Sequence, residues 1–202
     1  MSDQRPYAAL LAKGQDRKLR IIAVAQRLLT RNGWRSTTLE QIARGAGISP
    51  AGLLHHFESK EQLLHAVLDD RDTYDDVNAD VMGDLPAQVA KVADRFLGAP
   101  QQVGMFTILL VENLDPEAPL RERLLGRYRS ATELIADNIR QGQREGRYRA
   151  DLDPPVKAGE ILAFITGMEM SWLLDPSIPL AAVFQGYAAS LARDFSPRSR
   201  SS

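Results

Sequence analysis

Two adjacent histidines, His55 and His56, lie in the stretch "GISPAGLLHHFESKE" (Gly47 to Glu61) of a 202-residue chain that holds only three histidines. Paired imidazoles are candidate metal ligands, or an acid and its base, and either role needs both rings to converge on one point. Adjacent residues on a helix point about 100° apart, so these two do not face one metal as an i, i+4 pair does. The nearest acid, Glu58, lies past the end of the short helical run, and nothing at compatible spacing completes a catalytic triad or a zinc set. The chain has no cysteine, which excludes disulfides, thiolate metal sites and a thiol nucleophile. The expectation is a protein that is not an enzyme, with no catalytic residue, no metal and no cofactor.

The elements around the pair argue for a binding role instead. Helical spacing recurs almost throughout and no long apolar/polar alternation occurs, so the chain reads as all-α. A first helix is expected from about Asp16 to Asn32, with Ile21, Ile22, Ala25, Leu28 and Leu29 on one face and Gly33 as its stop. Thr38 with Gln41 three residues on is a capping box, opening a two-turn helix that ends at "GAG". Ser49 followed by Pro50 is an N-cap with proline at the first helical position, and it starts a third helix carrying Leu53, Leu54 and Phe57. Ser59 with Gln62 marks a further capping box and a longer helix that continues past Arg71. Short helix, turn and short helix, braced by a long one, make a helix-turn-helix, whose second helix enters the major groove by its N-terminal end.

Charge agrees with that reading. Residues 1–60 carry a net +6 and residues 61–202 a net −7, a basic head on an acidic body, which suits a polyanionic partner. The N-terminus lacks a signal-like apolar segment and the greasiest stretch, Ile161 to Leu174, contains Glu169 and is too short to span a bilayer. A cytoplasmic protein with no membrane partner is expected. Proline-punctuated helices are expected near Pro86–Leu97, Pro100–Asn113, Pro119–Glu145, Pro155–Leu174 and Leu180–Phe195, about nine in all. The domain division follows: a flexible arm over 1–15, the helix-turn-helix DNA-binding domain over 16–62, a second helical domain over 63–195, and a disordered tail over 196–202.

The stretch "TTLEQIARGAGISPAGLLHHFESKEQLL", Thr37 to Leu64, resembles the DNA-binding signature of the TetR family of bacterial transcriptional regulators. Its paired threonines, Ile-Ala, Ala-Gly-Ile-Ser, His-Phe and Ser-Lys-Glu carry the likeness. The resemblance implies contacts to duplex DNA from Thr37 and Thr38 at the start of the second helix, from His56 of the His-Phe pair, and from Lys60 at the start of the fourth helix. Plainer readings stay open: Thr38 as an N-cap, His56 as a packed helix end, Lys60 as a solvated cation. Arg44, Ser49 and His55 join the candidates, as do the tip residues Pro50, Ala51 and Gly52. Leu54 stands where the family favours tyrosine, which removes a phenol-to-phosphate hydrogen bond. Nothing polar projects from Pro50-Ala51-Gly52, so base reading is expected to lean on thymine methyls, close backbone approach and DNA shape.

For the acidic body the resemblance implies a homodimer on a pseudopalindromic operator and a small-molecule effector that releases a repressor from DNA. An alternative is a nucleoid-associated or adaptor protein with no inducer. In "AGEILAFITGMEMSWLL", Gly159, Ala163 and Gly167 permit close helix approach, and Phe184, Tyr187 and Leu191 stripe the last helix; these six are the expected dimer surface, and the resemblance implies that the last two helices of each subunit form a four-helix bundle there. Phe96, Met105, Phe106, Leu109, Tyr128, Met168 and Trp172, with Glu112 and Asn113 as polar groups, are the expected effector pocket; Glu169 is a further polar candidate.

Overall fold

The computed structural model describes the backbone over residues 5–78 and 83–197, with side chains from 14, 16–69 and 83–197. Ten helices and no strand occur among the described residues: α1 (Arg5–Ser36), α2 (Leu39–Ala46), α3 (Pro50–Leu54), α4 (Lys60–Asn78), α5 (Leu85–Ala90), α6 (Val92–Gly98), α7 (Pro100–Glu112), α8 (Arg121–Arg144), α9 (Pro154–Leu174) and α10 (Leu180–Phe195). The all-α expectation holds, with one helix more than the nine expected because Lys91 divides the Pro86–Leu97 segment. There the bonds tighten to i→i−3, Lys91 N–H to Gln88 O and Asp94 N–H to Lys91 O, and no side chain caps the new start. Two compact units result, one of residues up to Val77 with Gly104–Arg121, the other of Asn78–Val103 with Glu122 onward.

In the first unit, short helices are held by local punctuation. Thr38 Oγ1 accepts from Gln41 N–H (3.2 Å) while Gln41 Oε1 accepts from Thr38 N–H (2.9 Å), so two otherwise unpaired donors at the start of α2 are satisfied reciprocally. The helix stops at Gly47, whose φ of 69° suits glycine; Gly47 N–H reaches Arg44 O and Ile48 N–H reaches Ala43 O, a Schellman closure. Ser49 Oγ accepts from Gly52 N–H (3.0 Å) and Pro50 occupies the first position of α3. Ser59 Oγ accepts from Gln62 N–H (3.0 Å), and the return bond from Gln62 goes to Glu58 N–H (2.6 Å), one residue earlier than a capping box would place it. Ile21, Ala25 and Leu29 of α1, Ile42 and Ala43 of α2, Leu53, Phe57, and Leu63, Leu64, Val67 and Leu68 of α4 are buried, in the spacing the sequence displays.

Two boundaries differ from expectation. α1 begins at Arg5, so residues 5–15 are helical where a flexible arm was expected: "YAALLAK" is rich in strong helix formers and no cap or proline interrupts it. Residues 1–4 of that arm and 198–202 of the expected tail lie outside the described residues. α4 stays within the first unit as far as Val77, whereas the division expected from the sequence is at residue 62. Its buried face of Leu63, Leu64, Val67 and Leu68 continues the core of the unit that precedes it.

The second unit rests on aromatic packing. α5 and α6 pack along α10. Phe96 meets Phe184 edge to face (centroids 5.7 Å) and Trp172 at 6.4 Å, Phe164 meets Phe184 at 5.3 Å, and Tyr148 meets Phe195 at 5.1 Å. Tyr148 OH also accepts from Leu85 N–H (2.9 Å), tying the segment after α8 to the start of α5. Gly142 makes room for that ring, since a Cβ there would lie 2.1 Å from it. Asp84 and Asp153 cap α5 and α9 through Ala87 N–H and Val156 N–H, each at 3.2 Å.

Candidate nucleic-acid interface

α3 is anchored from beneath by Leu53 and Phe57, both almost fully buried, and this turns its other side outward. Pro50, Ala51, Leu54 and His55 are exposed, with Leu54 at 46%. That face is apolar until His55, so the sequence expectation of a plain tip holds for the side chains. Gly52 is half-buried under its own cap, and an added Cβ would meet Ser49 Oγ at 3.2 Å, which assigns the glycine a role in closing the turn. Arg44 and Thr38 are exposed on α2, and Ser49 is exposed at the turn.

The two histidines differ in environment. His55 is exposed and His56 half-buried, with rings edge to face at 5.7 Å and 67° apart. Burial, then the imidazole of His55 and the cations of Arg17 and Lys18, hold His56 below the ordinary imidazole range. Arg17 and Lys18 belong to α1 and were missed by the sequence reading; the basic run "DRKLR", Asp16 to Arg20, was the available signal. Lys18 Nζ lies 5.6 Å from the centroid of Phe57. No cluster of three or more His, Asp or Glu able to hold a metal occurs among the described residues.

Two expected phosphate contacts are engaged elsewhere. Thr37 is fully buried, its hydroxyl donating to Gly33 O at 2.7 Å, so it closes the turn after α1 and presents nothing outward. Lys60 Nζ donates to Trp34 O (2.5 Å) and sits 3.8 Å from the centre of the Trp34 ring, a cation-π seat. Burial pushes that ammonium below the ordinary lysine range, against the opposing pull of Glu61 and Glu112. Glu112, at the end of α7, accepts from Trp34 N–H at 2.6 Å. The Trp34 residue is thus held at its N–H by an anion and at its C=O by a cation. Gly33 makes this possible: its φ of 74° and ψ of 173° suit glycine alone, and a Cβ would lie 2.7 Å from Glu112 Oε1.

The arrangement is a helix-turn-helix with an exposed second helix beside a cationic surface, and comparison with known proteins decides its family. Residues 21–67 match the model for bacterial regulatory proteins of the tetR family, and residues 104–187 match that for the tetracyclin repressor-like C-terminal domain. The chain belongs to the TetR family of bacterial transcriptional regulators. It is 27% identical over 163 residues to the regulator SrpR of Pseudomonas putida, covering 78% of this chain and 75% of SrpR. It is 28% identical over 147 residues to YerO of Bacillus subtilis, an HTH-type transcriptional regulator, covering 68% of this chain but about half (51%) of YerO. In fold it is similar to the regulator FadR of Bacillus subtilis in complex with stearoyl-CoA, with a TM-score of 0.74 at 17% identity over 88% of this chain and 98% of that one. TetR regulators bind DNA and dimerise, and no helix among the described residues is long and apolar enough to cross a membrane.

The expected effector residues of this TetR-family chain fall in both units. Met105 and Leu109 are buried and Phe106 half-buried in the first unit. Glu112 is taken up by the Trp34 turn, and buried Asn113 by its own helix end, donating to Leu109 O (2.7 Å) and accepting from Leu120 N–H (3.2 Å). Phe96, Met168 and Trp172 belong to the aromatic core of the second unit, whereas Tyr128 is 46% exposed. A pocket of about 390 Å³ in the second unit is lined by Gly83, Asp84, Asn138, Gln141, Glu145 and Arg147.

The expected dimer residues divide in two. Phe184, Tyr187 and Leu191 pack inward, Tyr187 stacked on Phe164 at 3.7 Å, so they are core. Ala163 and Gly167 are exposed and Gly159 half-buried, in line with Val156 (54% exposed), Met170 (49%) and Leu174 (88%) on α9. Steps of seven, four, three and four residues from Val156 through Ala163, Gly167 and Met170 to Leu174 describe one helical seam. On α10 the exposed counterpart is Ala182, Gly186 and Ala189, with open space above Gly186, as above Gly159 and Gly167.

Proposed function

We propose that the chain is a repressor that binds a pseudopalindromic operator as a homodimer and is released by a small molecule bound in its C-terminal half. The observation that carries this reading is the exposed face of α3, capped by Ser49 and anchored by Leu53 and Phe57, after the α2 helix that Thr38 caps and beside the cations of α1. The apolar seam of α9 and the small-residue face of α10 supply a surface for a second copy, in the four-helix arrangement common to such dimers. A small-molecule effector is supported by the fold neighbour FadR, which is in complex with stearoyl-CoA. The chain works by binding in the cytoplasm, and the divergent rings of His55 and His56 serve contact, not turnover. DNA contacts are assigned to Thr38, Arg44, Ser49, Pro50, Ala51, Leu54, His55 and His56.

One observation favours a second reading. The groove-facing residues Pro50, Ala51 and Leu54 have no side chain able to make a bidentate base contact, as a protein indifferent to sequence would have it. Selection of bound duplexes from a random pool separates the two. A palindromic consensus is the expected result; recovery of unenriched sequence would establish the nucleoid-associated alternative. A screen of small molecules for a rise in melting temperature tests the effector, since a ligand of the native state must stabilise it by mass action.

A further inference from the structure

Four cationic or protonatable side chains from separate parts of the first unit share one surface. Arg17 and Lys18 come from α1, His55 and His56 from the turn that leaves α3. Lys18 reaches over the ring of Phe57, the residue next to His56, and the two imidazoles meet edge to face. Arg17, Lys18 and His55 are exposed, and no carboxylate among the described residues pairs with them. Like charges held together without a counter-ion repel one another, so an arrangement of this kind gains when an anion arrives. His56 registers the crowding: after burial and the imidazole of His55, the cations of Arg17 and Lys18 add to what holds it below the ordinary imidazole range.

We propose that Arg17 and Lys18 of α1, with His55 and His56, form a phosphate-gripping surface that extends the DNA contact from the exposed face of α3 onto the first helix. The surface rests on the DNA-binding reading above. It also accounts for how a helix with so plain a tip is held on a duplex: charge beside it supplies affinity that Pro50, Ala51 and Leu54 do not, and fixes register through the backbone while shape selects the sequence. Lys60, seated on Trp34, is not part of the grip. The cationic load shifts from the start of α4 to α1.

The test uses the full chain and a fluorescent random-sequence duplex, with affinity measured between 50 and 200 mM salt. Removing one phosphate-binding cation should shrink the affinity ratio across that range by about three- to fourfold per protomer, through counterion release. Arg17→Ala and Lys18→Ala are each expected to do so, whereas Arg17→Lys and Lys18→Arg keep the wild-type ratio. Arg129→Ala, which removes the same charge from an exposed site in the second unit, is expected to leave the ratio unchanged. An unchanged ratio in both α1 alanine variants overturns the proposal, and so does an equal reduction in Arg129→Ala. If wild-type protein binds no duplex at 50 mM salt, the DNA-binding reading itself falls, a result distinct from variants that bind as the wild type does.

Discussion

The first unit is held by polar punctuation and the second by aromatic rings. α2 and α3 together are thirteen residues long, too short to persist alone, and their ends are tied by Thr38, Gln41, Gly47, Ser49 and Gly52. The second unit relies on Phe96, Phe164, Trp172 and Phe184 meeting across α6, α9 and α10, and on Tyr148 against Phe195. A head that presents short helices to a partner needs close placement of a few backbone groups, which hydrogen bonds supply by direction. A body that must bury a large surface needs area, which rings supply in bulk.

Substitutions in each region should sharpen that contrast, and the largest effect belongs to the aromatic side. Phe184→Ala empties a fully buried site between Phe96 and Phe164 and should cost about 3–5 kcal/mol in chemical denaturation. Gly142→Ala drives a methyl into Tyr148 and should cost about 3 kcal/mol, with loss of the tyrosine bond to Leu85 N–H; an unaltered denaturation midpoint would mean the ring has room to move. In the head, Thr37→Val keeps shape but leaves Gly33 O without its donor, for about 1–2 kcal/mol. Its salt dependence of DNA binding should match wild type, and a reduced slope would restore Thr37 as a phosphate contact.

Lys60→Met is expected to lower head stability by a smaller amount and likewise leave the salt slope alone, since its ammonium already serves Trp34. The smallest effect is at His56. Its imidazole is held low in the folded chain, so the unfolded chain binds that proton more readily; the stability present above the ordinary imidazole value is lost as pH falls through the folded-state one. His56→Gln should therefore flatten the decline in melting temperature from neutral pH down through the imidazole range, and an equal decline would remove His56 as its source.

How much was legible follows the same divide. The caps of α2, α3 and α4 are local, three residues from oxygen to amide, and Thr38, Ser49 and Ser59 announced them. Partners far apart in sequence were not legible: Lys60 finds Trp34 from 26 residues away and Glu112 finds the same residue from 78, so a lysine at a helix start read as a free cation. On α10, periodicity identified two faces but not which one the chain itself covers. The larger stripe of Phe184, Tyr187 and Leu191 went inward because it buries more area, leaving alanine and glycine outside. Arg17 and Lys18 were visible only as charge, because nothing in their spacing says that α1 passes beside His56.

The tryptophans have a practical use that their packing makes available. The chain has two, Trp34 in the first unit and Trp172 in the second, each about nine-tenths buried. Trp34 lies under an ammonium group and between two charged hydrogen-bond partners, while Trp172 is enclosed by hydrocarbon and aromatic neighbours. Each half of the molecule therefore contains its own built-in optical probe, and with the other replaced by phenylalanine the emission of a single indole would report on the head or on the body alone.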